Sequence, residues 1–144
     1  MSYTTETRRD AAAYYASRPR MQLWGINVRS TNRIRSALEI VQGRKLWETR
    51  DTDSLRPYVG QRVGIIETAA RKSAKLVGFV TLGEPVFMTA HAFRELRHEH
   101  LVPEGDLFDI RKDQRGKWCY PLRDPDALFK PRLVTSRGIV ARQI

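Results

Sequence analysis

The segment Gly43-Arg-Lys-Leu-Trp-Glu-Thr-Arg50 sets Lys45, Glu48 and Arg50 within six residues, beside the aromatic Trp47. A lysine and a carboxylate that share a cleft can work in two ways. The carboxylate can hold the lysine charged to grip an anion, or burial can lower the lysine's pKa towards use as a base or nucleophile. Regular strand alternation puts Lys45 and Glu48 on opposite faces, so they converge only where the strand starts irregularly or carries a bulge. Gly43 permits such a start. The competing reading is an ion pair at a strand edge.

Other chemistry-bearing residues point less far. His91, His98 and His100 are close in sequence, and with Glu95 or Glu99 they could be tried as metal ligands, but ordinary surface or cleft histidines are the preferred reading and no metal is assigned. Cys119 is the only cysteine, which rules out an intrachain disulfide or a multi-cysteine zinc site and suits a buried, inert thiol. No G-x-x-x-x-G-K-[ST] loop, G-x-G-x-x-G fingerprint, H-E-x-x-H helix or G-x-S-x-G elbow occurs, so the common ATPase, dehydrogenase, zinc-protease and hydrolase motifs are absent and no cofactor is indicated.

Charge is more informative. Among 144 residues, 26 Lys+Arg against 16 Asp+Glu leave a net charge of +10, which favours an anionic partner such as RNA or a nucleotide. Residues 1 to 50 hold ten basic and four acidic side chains, an excess of +6, and the other 94 residues carry +4. Arginines outnumber lysines 20 to 6, and the planar guanidinium fork suits phosphate contacts and base stacking. No run of about 18 apolar residues is present and the N-terminus lacks an apolar signal core, so no membrane is expected and the cytoplasm is the default compartment.

The elements that must position these groups read as one domain over residues 21–144 preceded by an arm or short helix over 1–20, where Tyr14 and Tyr15 lie near Arg8 and Arg9. A strand over 22–28 leads to Ser30-Thr31-Asn32 as capping residues. Ile34, Ala37, Leu38 and Val41 then follow at helical spacing, with Ile34, Leu38 and Val41 as the buried face and Gly43 as the stop. Arg29 and Arg33 fall at the positive end of that helix, which is favourable once an anion sits there. Strands follow over 44–50, 62–68, 76–82 and 85–88, with Arg71, Lys72 and Lys75 on the hairpin tip between the second and third. Thr89 caps a helix bearing Phe93, Leu96 and His100. Short runs at 107–110, 118–122 and 137–140, separated by turns at 113–116 and at Asp124-Pro125, complete five to seven strands with two helices, the pattern of a small barrel.

Taken together, G-x-K-x-x-E-x-R over Gly43 to Arg50 and G-x-x-V-x-I from Gly60 resemble the ASCH domain of the PUA-like superfamily. The order continues with the strand around Gly78, the helix ending at His98 and His100, the Trp118 to Pro125 run, Lys130-Pro131 and Arg137 to Val140, so the resemblance covers about residues 22 to 144. It implies a mainly β, α+β fold, a small PUA-like β-barrel with flanking helices, and a cleft lined by the motif lysine that takes RNA or a nucleotide. Family members are described as RNA-binding or coregulator modules, as ribonucleases, and in one bacterial branch as amidohydrolases of acetylated cytidine that use a lysine, a threonine and a glutamate. Lys45 matches that lysine. Glu48 stands where the threonine would be, and Glu95 or Glu99 is left to supply the glutamate. The first helix reads one turn longer than is usual for the family, and the tyrosine often near its start is missing.

The expected function is therefore RNA binding through a basic cleft around Lys45, Glu48 and Arg50. Arg29, Arg33, Arg71, Lys72, Lys75 and His100 are further contacts, and Trp47 and Tyr120 are available for base stacking. The alternative is a hydrolase acting on RNA or a modified nucleoside, with Lys45 and Glu48 as its catalytic pair. A basic protein-interaction module is a third class, which would need an exposed apolar patch.

Overall fold

A computed structural model describes residues 23–144; the expected arm over 1–20, with its tyrosines and arginines, lies outside the described residues. Among the described residues, seven strands, three short α-helices and one 3-10 turn make a mainly β, α+β fold. In chain order these are β1 (Trp24–Arg29), α1 (Ser36–Val41), β2 (Trp47–Arg50), the 3-10 turn (Arg56–Tyr58), β3 (Arg62–Ala69), β4 (Lys72–Leu82), β5 (Val86–Thr89), α2 (Ala90–Glu95), α3 (Arg97–His100), β6 (Gly116–Leu133) and β7 (Ala141–Gln143).

The strands lie in the order β2-β6-β4-β3-β1-β7, with β5 also paired to β6. β1 and β3 are parallel, which demands a crossover between them, and α1 supplies it. Ala37, Ile40 and Val41 of α1 pack with Ile26, Val28, Val63, Ile65, Val77 and Val80 in the main core. The helix can approach because residue 78 is glycine: a Cβ there would strike Val41 and the Asp126 carbonyl. A second cluster of Met88, Phe93, Val102, Ile110 and Cys119 lies under α2 and α3.

The closed barrel is not formed. The hydrogen-bonded path is open, ending at β2 on one side and β7 on the other. β2 has four residues and pairs only with β6, while both edges of β1 are taken, by β3 and β7. A side chain spans the gap: Arg50 Nη2 donates to the Asn27 carbonyl of β1 at 2.6 Å.

Several local expectations change for reasons of packing. α1 begins at Ser36 with no side-chain cap. Thr31 instead accepts from Arg33 N at 3.3 Å and donates to Asp106 at 3.1 Å. The helix has six residues, and Ile40 is fully buried while Ile34 and Leu38 are half-buried. Thr89 does cap α2, accepting from Ala92 N at 3.2 Å. The turn signal at Asp124-Pro125 is a bulge: these two residues stand opposite Val80 alone, Asp124 has φ +52°, and β6 runs on through it. Residues 107–110 form turns, and the last strand is β7 rather than 137–140.

Candidate functional site

The open gap between β2 and β1 is the mouth of a cleft of about 370 Å³. Its construction begins at Gly43, whose φ of +79° ends α1 and turns the chain back. Arg44 N and Lys45 N then both donate to the Glu39 carbonyl, at 2.9 and 3.0 Å, and Leu46 N donates to the Glu99 carbonyl at 2.8 Å. These bonds turn Arg44 and Lys45 out of the ladder that begins at Leu46, whose carbonyl accepts from Leu122 N of β6 at 3.0 Å, so regular alternation does not reach back to Lys45. Lys45 and Glu48 therefore line the same cleft, together with Thr49 and Arg50.

Lys45 is 2% exposed, and its ammonium donates to the His100 carbonyl. Burial pushes its pKa below the ordinary lysine range, against the opposing pull of the Glu48 carboxylate. Glu48 accepts from Thr49 N at 3.0 Å and from Arg50 Nη2 at 3.4 Å. A second buried lysine, Lys117, donates to the Phe108 carbonyl at 2.6 Å and meets Asp51 at 3.1 Å. Burial acts to raise the Asp51 carboxyl, but hydrogen bonds from Gln114 and Lys117 outweigh it and hold the group below the usual range. Arg29, Asp106, Phe108 and the 97% exposed Ile139 complete the rim. Asn27 pins the loop that carries Ile139, donating to the Gly138 and Ile139 carbonyls at 2.9 Å each.

Several expected contacts go elsewhere. His100 is fully buried and stacked on Phe93 at 3.9 Å. Its Nδ1 accepts from Val102 N at 3.0 Å, which leaves Nε2 to donate to the Phe93 carbonyl at 2.6 Å. The ring thus serves as a core spacer. Tyr120 is fully buried with its hydroxyl accepting from Leu55 N at 3.2 Å, so no base can stack on it. Trp47 packs on the second cluster and donates to Glu99 at 3.0 Å rather than facing the cleft. That bond turns Glu99 away as well, and Glu95 is exposed on α2; neither lines the cleft. Arg33 donates to the Glu104 carbonyl at 2.6 Å, outside the cleft. Arg71, Lys72 and Lys75 lie at the β3–β4 hairpin, and the two lysines, unlike Arg71, line a second groove. Among the described residues no cluster of three potential metal ligands occurs. Cys119 is buried, and its thiol is pushed up to about 12 by that burial.

Lys117 was missed, although a signal existed. It stands two residues before Cys119 on the same strand, so a buried Cys119 puts Lys117 on the inward face.

A scan against protein-family models finds no match, and a search of curated proteins finds none. Solved structures do match. An ASCH protein from Zymomonas mobilis aligns with a TM-score of 0.62 at 18% identity, covering 83% of this chain and 87% of that one. Two point mutants of that protein align with TM-scores of 0.61 and 0.60 at 18% and 20% identity. They cover 83% of this chain and 87% and 89% of theirs. The chain has the ASCH fold. Within that fold, the motif segment from Gly43 to Arg50 is the stretch that enters the cleft, and no helix among the described residues is long and apolar enough to cross a membrane.

Proposed function

We propose that the protein binds RNA, or a nucleotide unit of it, in the cleft between β1 and β2. The observation that carries this reading is the convergence of two buried lysines and Arg50 on one half-enclosed cavity. An ammonium has three donors. Lys45 spends one on the His100 carbonyl, and Lys117 is tied to Phe108 and Asp51, so each retains a donor for an anionic or carbonyl oxygen. Glu48, Asp51 and Asp106 are acceptors suited to the N–H groups on a base edge. With Trp47 and Tyr120 packed away, recognition rests on a seat for one nucleotide rather than on an aromatic platform. Lys45→Met keeps the stem and removes the charge, so affinity for nucleoside monophosphates and short RNAs falls at least about tenfold, as for loss of a charge-assisted bond in a partly dry site. Calorimetry or fluorescence anisotropy measures this, and an unchanged affinity refutes the seat.

A hydrolase is the second reading, favoured by one observation: the desolvated Lys45 shares its cavity with the Glu48 carboxylate and the Thr49 hydroxyl. Lysine, threonine and glutamate are the residue types used by the acetylcytidine branch of the family that the sequence resembles; here Glu48 stands at the threonine's place and Thr49 lies one position beyond it. A neutral Lys45 amine can take a proton from water or a substrate, with Glu48 as the alternative base. Turnover of labelled RNA and of acetylated cytidine, with and without divalent metal, tests this. Glu48→Gln distinguishes the classes: a binding module keeps or gains affinity as repulsion of phosphate is relieved, whereas a hydrolase loses turnover and still binds.

A further inference from the structure

We propose, on the reading of the cleft as a nucleotide seat, that the groove beside the β3–β4 hairpin is a second nucleotide subsite. The ligand is then a single strand of at least two nucleotides, with Arg29 at the phosphate that joins them. The groove, about 670 Å³, is lined by Arg29, Arg35, Lys72, Lys75 and the apolar Leu107 and Pro131, among others. It adjoins the cleft directly. Arg29 lines both, and the segment Asp106-Leu107-Phe108 forms the dividing ridge, with Asp106 and Phe108 on the cleft side and Leu107 on the groove side. Thr31, in the groove, donates to Asp106, in the cleft, and so fixes the ridge to the loop after β1.

The charge in the groove is unbalanced. Its one carboxylate among the described residues, Glu67, is occupied by Arg35 at 2.7 Å and by the Ser30 hydroxyl at 2.6 Å. Arg29, Lys72 and Lys75 make no ion pair among the described residues, and Lys72 reaches Glu67 only through its field, which helps to hold that carboxyl low. The two lysines are three residues apart, a spacing that regular alternation would divide between faces. The register shift between Glu67 and Ala69 brings both to the groove. Unpaired cations set along a concave surface repel one another and are relieved by a polyanion that follows the groove, while Leu107, 67% exposed, gives a base an apolar seat. A free nucleoside would fill the cleft and leave this groove unused.

The test is a length series, from nucleoside monophosphate through dinucleotide to short single-stranded RNA, with the wild type, the double variant Lys72→Ala/Lys75→Ala and the charge-matched control Arg94→Ala/Lys112→Ala. Both lysines of the test pair are exposed, so folding is retained, and matching melting curves verify it. Wild-type affinity should rise steeply beyond one nucleotide. The Lys72/Lys75 variant should lose about tenfold for oligonucleotides and less than about twofold for the monophosphate, with a log-log salt slope smaller by about 1.4, or about 0.7 per lost phosphate contact. The control should match the wild type. An affinity that does not rise with length, or a variant that binds RNA as the wild type does, overturns the second subsite and leaves the seat standing. An equal loss in test and control variants overturns it too, since net charge alone then explains the effect. An acidic peptide that displaces RNA at equal concentration makes the groove a protein site and also overturns it. If Lys45→Met leaves affinity at every length unchanged, the seat itself fails and the subsite with it.

Discussion

His100 is held neutral by its surroundings: Val102 N–H donates to one ring nitrogen, the other donates to the Phe93 carbonyl, and the Lys45 ammonium binds the carbonyl of the same residue. Burial is the main cause that lowers its pKa from 6.5 to about 4. The unfolded chain therefore takes up the proton first. The stability that the neutral ring contributes is fully present above pH 6.5 and is lost as pH falls towards 4, by on the order of 3 kcal/mol between pH 7 and pH 4. The carboxylates held low by arginine, Glu39 and Glu67, lose their contribution only below their ordinary value of 4.5, so the decline between pH 6.5 and 5 belongs to the histidine. Urea unfolding at stepped pH checks this, and His100→Gln should flatten the curve in that window.

Among the elements, α1 matters most to the cleft, because its C-terminal turn delivers Lys45. Its grip on the sheet is through Ile40, fully buried, whereas Leu38 is half-covered. Ile40→Ala should cost about 2–5 kcal/mol, the range for emptying a close-packed aliphatic site. Leu38→Ala should cost clearly less. Chemical denaturation of both variants orders them, and a reversed order would mean that the helix is rotated from the face described. The helix expected from spacing was largely there, but spacing alone put Leu38 where Ile40 sits, because a six-residue helix beginning at Ser36 has too few turns to define its own buried face.

At the scale of the whole molecule, the cleft exists because the sheet stays open. β7 occupies the edge of β1 that β2 would need, so Arg50 bridges where a ladder would have run. Arg50→Ala leaves the Asn27 carbonyl and Glu48 short of a donor and should lower stability by about 1–3 kcal/mol. It should also weaken nucleotide binding. Denaturation together with anisotropy measures both, and a loss of binding alone would show that the bridge is not structural.

Sequence alone determined what depends on near neighbours. Thr89 was legible as a cap from its place before a helical pattern, most strand segments, though not 107–110 or 137–140, from their alternation, and Lys45, Glu48 and Arg50 as a group from the motif they form together with a glycine that could spoil the alternation ahead of Trp47. Tertiary structure decided what depends on distant partners. Whether β2 meets β1 turns on β7, more than 90 residues later. Whether Tyr120 and His100 face a ligand turns on Leu55, Phe93 and Val102 claiming their polar atoms first. Lys117 joins the cleft, against Asp51 at the end of β2, only because β6 pairs with β2. A dipeptide such as Asp124-Pro125 signals a departure from regular backbone, but the neighbouring strand decides between a bulge and a reversal, since β4 offers β6 a ladder on both sides of it.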